Sequence, residues 1–293
     1  MFFNAIFLLF YKKTISIFRV KSIICGCTIF HLFFLLEEKK VSIMEHTWLM
    51  KYFAEFFGTI ILVVLGNGSV ANSVLRDTGG NSRDGQANGG WLLIAFGFGF
   101  GVMLPAMLFG SISGNHLNPA VTLAQACSGV FPWDQVMPYI LVQMLGAIVG
   151  QLILVAVYWP YIGRTTSDDA VFASFATGDS ANSKFNGFIT EFFGTAILLF
   201  IAVGLYRGMF FKQSEDIANI GVGFLITALV MAVGGPTGPA LNPARDLGPR
   251  IVYALCPLPH KGSAHWDYSW VPVVAPIAGG ICGALLYKIA FGL

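Results

Sequence analysis

Charged side chains are scarce in this sequence. Asp, Glu, Lys and Arg make up 11% of its 293 residues, whereas a soluble domain carries about 25%. So little charge cannot cover a surface that faces water, and the mean hydropathy of +0.72 agrees. The net charge of +2 supplies no basic surface for nucleic acid. The composition therefore argues against a water-soluble protein and against a nucleic-acid partner.

Residues that hold metals or form disulfides are also few. There are five histidines, and the five cysteines follow no zinc, haem or disulfide spacing. No phosphate-binding glycine loop, no pair of acids with a nearby base and no cluster of metal ligands occurs within the apolar segments. We therefore expect no enzyme, no cofactor and no metal. Apolar residues make up 56% of the chain, and its many glycines and phenylalanines are typical of packed membrane helices.

Six segments have the roughly 20 apolar residues that a membrane-spanning helix needs. They are Trp48–Leu75, Trp91–Ile112, Gln135–Trp159, Gly187–Phe210, Ile217–Val233 and Trp270–Phe291. Two further segments, Asn118–Val130 and Asn242–Leu255, are too short to cross and begin with Asn-Pro, which suits a helix start. We interpret them as half-helices that enter the bilayer and stop beside a cavity. The sequence thus predicts an all-α membrane protein with six transmembrane helices and two re-entrant half-helices.

The chain also contains an internal duplication. AEFFGTIIL at 54–62 is matched by TEFFGTAIL at 190–198, and LNPAVT at 117–122 by LNPARD at 241–246. Glycines that allow close helix packing recur at Gly146, Gly150, Gly279 and Gly283. Each half holds three spans, so the second copy is inverted relative to the first. We predict repeats over about 47–160 and 185–293, with the positive N-terminal ends of both half-helices meeting at the bilayer midplane.

Lysine and arginine indicate the orientation. They are frequent before the first span, and Arg207 and Lys212 follow the fourth span on the same side. Because cytoplasmic loops carry the excess of positive charge, we expect both termini in the cytoplasm, with the protein in the plasma membrane. Residues 1–43 match neither a comfortable span nor a signal peptide. We interpret them as an N-terminal extension from upstream translation or cloning, with Met44 as the natural start.

The two Asn-Pro-Ala motifs carry a resemblance to a known family. The matching stretches are SGNHLNPAVT at 113–122 and GPALNPARDLGPR at 238–250. With them the sequence resembles the major intrinsic protein family, the aquaporins and aquaglyceroporins, from about Thr47 to Leu293, which makes 44–293 the expected channel domain. The resemblance implies the aquaporin fold, a passive channel and a homotetramer. The implied pore residues are Asn118, Pro119, Ala120, Asn242, Pro243 and Ala244.

The family's pores narrow at a filter of four positions. In this sequence the resemblance places them at Phe98, Val230, Pro239 and Arg245, with Met231 open as the alternative to Val230. Water-selective members have His where this chain has Val230, so an apolar residue there favours glycerol. The familiar glycerol facilitator has an aromatic ring where this chain has Pro239. This departure resembles the glycerol uptake facilitators of lactic-acid bacteria and implies a filter that is at least as wide.

Four other residues are expected to support the re-entrant loops: Glu55, Glu191, His116 and Asp246. Both glutamates occupy the same place in the duplication, so we expect each to accept hydrogen bonds from loop N–H groups. His116 would donate to a glutamate or to loop backbone, and a pH gate is the alternative. Asp246 follows Arg245 as in glycerol channels. Arg245, a charge at membrane depth, is expected to donate to solute hydroxyls and to repel cations.

Together these features predict a passive channel for glycerol, water and other small neutral solutes that excludes ions and protons. Dihydroxyacetone, urea and undissociated lactic acid are further candidates, and the lipid bilayer is the surrounding partner. The nearest alternative is a water-selective aquaporin. From other classes, a proton-coupled transporter would use Glu55 or Glu191, and a non-conducting membrane scaffold would use no pore.

Overall fold

The computed structural model describes residues 46–81, 90–207 and 215–292, which fold into helices joined by loops. The long helices are α1 (Trp48–Val74), α2 (Gly90–Ser113), α4 (Val136–Arg164), α6 (Lys184–Arg207), α7 (Glu215–Val233) and α9 (Val271–Phe291). The short ones are α3 (Pro119–Cys127), α5 (Asp168–Ala173) and α8 (Pro243–Leu255), and a 3₁₀ turn at Trp133–Gln135 leads into α4. The extension predicted at 1–43 and the loop residue Lys212 lie outside the described residues.

The six long helices have the length and the apolar composition to cross a membrane. Their outer faces carry large apolar side chains that are mostly exposed, among them Phe185, Phe193, Leu141 and Ile289. Such a surface is stable against lipid and unfavourable in water. The chain is therefore a multi-pass membrane protein, and the predicted all-α class with six spans is confirmed.

The predicted bounds hold to within a few residues, with two corrections between the halves. Helix α4 continues to Arg164 instead of ending at Trp159, because Pro160 interrupts the bonding of one turn without stopping the helix. Between the third and fourth predicted spans, where no helix is predicted, the structure contains α5. Ser167 starts this helix, since its side chain accepts a bond from the Ala170 amide at 3.2 Å.

The two halves of the membrane unit pack through each other. Helix α1 packs against α2 and α4, and α6 packs in the same way against α7 and α9. Two of the short helices lie against the last long helix of the other half, α3 on α9 and α8 on α4. The loops that precede α3 and α8 are therefore brought to the centre of the molecule.

Glycines on α4 and α9 let these helices approach their neighbours closely. A Cβ on Gly146 would lie 2.5 Å from the Phe56 carbonyl oxygen, and one on Gly150 would lie 3.0 Å from that of Ile60. On α9, a Cβ at Gly279 or Gly283 would overlap a carbonyl oxygen of α6. The recurrent glycines thus serve packing, as their spacing predicts.

Candidate functional site

The helices α3 and α8 begin in the same way at the centre of the molecule. Asn118 caps α3, with its side-chain oxygen accepting from the Ala120 amide at 2.9 Å. Asn242 caps α8 by accepting from Ala244 at 2.9 Å and from Arg245 at 3.2 Å. In each helix a proline occupies the first turn, where its missing N–H leaves no helical bond unmade.

The two asparagines also join the halves to each other. The Asn118 side-chain nitrogen donates to the Leu241 carbonyl at 2.8 Å, and that of Asn242 donates to the Leu117 carbonyl at 2.8 Å. One of the two N–H groups on each amide is used in this way, which the motif spacing did not reveal. The second N–H remains, and both side chains line a cavity.

Glu55 holds the loop before α3. One carboxylate oxygen accepts from the Ser113 hydroxyl at 2.7 Å and the His116 amide at 2.9 Å. The other accepts from the Leu117 amide at 2.6 Å and the Gln143 side chain at 2.9 Å. Glu55 is fully buried, so these donors replace the water that a carboxylate would otherwise require.

Glu191 holds the loop before α8 by the same plan. It accepts from the Thr237 hydroxyl at 2.7 Å, from the Ala240 amide at 2.9 Å and from the Leu241 amide at 2.7 Å. It is likewise fully buried. Both glutamates are thus occupied by loop donors, the arrangement expected from their matching places in the duplication.

The residue before each asparagine adopts a left-handed backbone. Leu117 has φ of 51° and Leu241 has φ of 50°, a conformation that is costly for a bulky residue. Each is held there by its bond to a glutamate, and each side chain fills a space left by a glycine. A Cβ on Gly58 would come within 2.5 Å of Leu117, and one on Gly194 within 2.7 Å of Leu241.

Three of the predicted filter residues meet on one side of this centre. The Arg245 guanidinium lies over the Phe98 ring, 4.7 Å from its centroid. Arg245 Nη1 donates to the Phe175 carbonyl at 3.2 Å, while its buried Nε has no hydrogen-bond partner among the described residues. Pro239 lines the same two cavities as Phe98 and Arg245.

Val230 lines one of two cavities in the described structure, and Met231 lines neither. Val230 is 2% exposed and lines the inner cavity, whereas Met231 is 43% exposed on the outside of α7. The Val230 carbonyl accepts from the Trp91 indole at 2.8 Å. A Cβ on Gly234 would lie 2.8 Å from both Trp91 and Pro239, so these residues form one packed group.

Asp246 has a different set of partners from the expected one. Its carboxylate accepts from the Thr177 amide at 2.7 Å and pairs with Arg250 at 2.8 Å, and both charged side chains are fully buried. Arg250 also donates to the Thr177 carbonyl at 2.7 Å and the Ala264 carbonyl at 2.7 Å. Within the described residues, Asp246 therefore ties α8 to the loop after α5, not to the loop before α8.

His116 contributes its backbone, not its ring, to the glutamate network. Its ring Nδ1 lies 3.1 Å from the Thr122 hydroxyl. The ring packs against Phe131 and Tyr139, with centroid distances of 4.8 Å and 5.3 Å. No acidic side chain contacts this ring among the described residues.

Two cavities meet at Phe98, Pro239 and Arg245. The inner one, of about 480 Å³, extends from Gln125 and Arg207 past both asparagines to Arg245. The outer one, of about 710 Å³, opens toward Asp169 and Lys184. Phe98, Pro239 and Arg245 line both, so they form the boundary between them. At the outer rim Lys184 contacts Asp267 at 2.9 Å and holds the pKa of that carboxyl below its usual range.

The inner cavity is lined both by loop residues with polar backbone and by apolar helix residues. The loop residues are those at 114–118 and 239–242. No described donor bonds to the carbonyls of Asn115, His116, Pro239 or Ala240. The apolar helix residues are Leu62, Val102, Leu198, Leu199, Val203, Val222, Ile226 and Val230.

Sequence reasoning missed the residues that fix the outer loop. These residues are Arg250, Thr177 and Phe175. The Thr177 carbonyl accepts from Arg250, 73 positions away in the chain, and the Phe175 carbonyl accepts from Arg245, 70 positions away. Only the GPALNPARDLGPR stretch, which places Arg250 one turn after Asp246, offered a signal for the ion pair.

Comparisons with known proteins agree with this geometry. A family model described as Major intrinsic protein matches residues 42–287. Glycerol uptake facilitator protein-like 5 of Lactiplantibacillus plantarum is 65% identical over 250 residues, which are 85% of this chain and 100% of the relative. Glycerol facilitator-aquaporin gla of Lactococcus lactis subsp. cremoris is 39% identical over 295 residues, with 85% and 100% covered.

A solved structure shares the architecture. The X-ray structure of the aquaglyceroporin from Plasmodium falciparum matches with a TM-score of 0.71 and 29% sequence identity. The match covers 84% of this chain and 98% of that chain.

Proposed function

Because the chain belongs to the major intrinsic protein family, we propose that it is a passive channel through which glycerol, water and other small neutral solutes diffuse down their gradients. The observation that carries the proposal is a cavity lined by loop backbone and apolar helix side chains that extends to Phe98 and Arg245. A polyol has hydroxyls on one edge and carbon on the other, and so matches polar backbone and apolar side chains at once. The names of the two bacterial relatives point to the same solute.

Arg245 is the donor that we assign to solute hydroxyls. Its Nη1 is occupied by the Phe175 carbonyl, and its Nε faces no described acceptor. A passing hydroxyl can accept from the unoccupied N–H groups while its carbon atoms contact the Phe98 ring. The positive charge also repels cations and protons, as do the positive ends of α3 and α8.

The apolar filter position favours glycerol over a water-only pore. Val230 offers a methyl surface where a water-selective filter would carry a polar imidazole, and Pro239 adds no ring to the wall. The same width makes dihydroxyacetone, urea and undissociated lactic acid further permeants to assay. Loop carbonyls without protein donors provide the successive acceptors along the path.

We assign the plasma membrane as the location, with both termini in the cytoplasm. The inner cavity opens beside Arg207, and the outer one beside Asp169 and Asp179, which agrees with positive charge on the cytoplasmic side. We also propose that α3 and α8 are re-entrant half-helices in an inverted pair of repeats. A homotetramer with one pore in each subunit is the proposed assembly, as membership of the family implies.

Stopped-flow light scattering on proteoliposomes tests the channel. The wild type should speed both shrinkage after a sucrose step and re-swelling in glycerol. A Val230→His, Pro239→Phe double change should abolish glycerol flux and leave water flux, because an imidazole and a ring narrow the filter. Water flux alone in the wild type would identify a water-selective pore.

The same vesicles separate the other classes of function. Glycerol flux that follows an imposed pH gradient would indicate a proton-coupled transporter. Fluxes equal to those of empty vesicles would indicate a scaffold. We do not expect proton coupling, because both candidate proton carriers, Glu55 and Glu191, are occupied by loop donors. We do not expect a scaffold, because a lined cavity extends to Arg245.

A further inference from the structure

Two buried amide side chains lie behind the filter, outside both cavities. Asn67 on α1 is fully buried, and Gln151 on α4 is 2% exposed. The Asn67 side-chain nitrogen donates to the Phe175 carbonyl at 2.8 Å and to the Gln151 side-chain oxygen at 2.8 Å. The Gln151 nitrogen donates to the Ser174 carbonyl at 3.4 Å.

Backbone carbonyls fix the direction of this chain of bonds. A carbonyl oxygen only accepts, so Asn67 must present its nitrogen to Phe175 and Gln151 must present its nitrogen to Ser174. The oxygen of Gln151 is then left facing the second N–H of Asn67. Every donor of the Asn67 amide is used, and the two amides hold two successive carbonyls of one loop.

The Phe175 carbonyl connects this pair to the filter. It accepts from Asn67 at 2.8 Å and also from Arg245 Nη1 at 3.2 Å. The Arg245 side chain makes no other hydrogen bond among the described residues. The position of this one oxygen therefore decides where the guanidinium lies over Phe98.

One polar atom of the amide pair is unpaired among the described residues. The Asn67 side-chain oxygen is buried without any described donor, and an unsatisfied buried acceptor is unfavourable. Two apolar side chains could fill the space between α1 and α4 without that cost. Such apolar side chains would leave the Phe175 oxygen without the second donor that Asn67 supplies beside Arg245.

We propose that Asn67 and Gln151 are positioning residues for solute selection, which fix the Phe175 carbonyl and thereby the Arg245 guanidinium. The inference rests on the proposed glycerol channel. Glycerol must match the guanidinium and the Phe98 ring together, whereas water needs only one donor or acceptor at a time. Loss of the amide pair therefore lowers glycerol permeability more than water permeability.

The test is the ratio of glycerol to water permeability, measured on the same proteoliposomes of the full-length protein. Once the permeabilities of empty vesicles are subtracted, this ratio does not depend on how many channels fold, so an effect on stability alone leaves it unchanged. Asn67→Leu should lower the ratio about three- to tenfold, the factor that the loss of one hydrogen bond commonly produces. Gln151→Met should lower it by a smaller factor, since Phe175 keeps its bond to Asn67.

Two further variants serve as rescue and control. The exchange Asn67→Gln with Gln151→Asn keeps both amides and their summed length, and should restore much of the ratio. Ser73→Ala removes a buried hydroxyl from the same helix, but its partner is the Ser69 carbonyl of that helix. It should retain the wild-type ratio.

A wild-type ratio in Asn67→Leu would overturn the proposal, and if that variant does not assemble, a wild-type ratio in Gln151→Met would do so. Failure of the proposed function looks different, because the wild type itself would then pass no glycerol above empty vesicles. A channel that conducts normally and ignores both substitutions removes only the positioning role.

Discussion

Gly66 on α1 leaves the space that the Phe98 ring fills at the boundary between the two cavities. A Cβ on this residue would overlap the ring, so Gly66→Ala should push Phe98 toward the lumen. We expect glycerol permeability to fall by about tenfold or more and water permeability to fall less, because the narrowed filter excludes the larger solute first. Stopped-flow re-swelling measures both.

Gly68→Ala is the matched control for this change. It adds the same methyl group two residues further along α1, where the nearest atom belongs to Leu154 at 3.2 Å and lies away from the filter. Equal losses of glycerol flux in both variants would mean that Phe98 does not form the wall.

Glu55 shows how much one buried side chain stabilises. Glu55→Gln replaces an accepting oxygen by an NH₂ group that faces two donors, so loop bonds are lost and N–H groups oppose each other. We expect the free energy of unfolding to fall by about 2–4 kcal/mol. Thermal unfolding in detergent measures the loss.

The matching change Glu191→Gln should cost a similar amount. Flux through whatever fraction of either variant remains folded should show no dependence on a pH gradient. Unchanged melting together with lost solute flux would instead assign a transport role to the carboxylates.

At the scale of helices, the glycines of α9 set its distance from α6. A side chain at Gly283 would overlap the Ala196 carbonyl, so Gly283→Val must push the two helices apart. We expect a loss of about 1–3 kcal/mol, as for other overpacked interiors. Gly163→Ala on α4, where a Cβ meets nothing within 4 Å, should leave stability equal or slightly higher. Similar melting of both variants would contradict the packing role.

The long helices are the part of the fold that the sequence predicts best, because a run of about 20 apolar residues is typical of a membrane-spanning helix. The starts of α3 and α8 followed directly from Asn-Pro. The missed helix α5 has only six residues and lies in a polar stretch, so no periodicity could reveal it. The extra turn of α4 is not predicted because a proline usually marks a helix end, whereas the helix continues past Pro160 to Arg164.

At the scale of the whole molecule, the pair Asp246–Arg250 joins α8 to two outer loops. Arg250→Met removes donors to the Thr177 and Ala264 carbonyls and leaves Asp246 buried without its counter-charge. Breaking such a pair costs about 3–5 kcal/mol, so we expect a strongly lowered melting temperature. The double change Asp246→Leu, Arg250→Met should recover part of it. A melting temperature equal to that of the wild type in Arg250→Met would contradict this role.

Long-range partners mark the limit of what the sequence predicts. The duplication pointed to both glutamates and to both asparagines, since each repeats at a fixed place. Asn67, Gln151 and Phe175 have no counterpart that signals them, and their bonds join residues up to 108 positions apart. Only the folded backbone brings those carbonyls to the amides, and spacing alone carries no such information.

The crossed bonds of Asn118 and Asn242 have a consequence for synthesis. When the first half leaves the ribosome, the amide of Asn118 lacks an acceptor that lies 123 positions later. The Leu117 carbonyl lacks its donor for equally long. Unpaired groups of this kind are disfavoured in hydrocarbon, so we expect α3 to reach its final position only once α8 has been translated. A truncated product carries exposed polar tips, which distinguish an unfinished chain from a finished one.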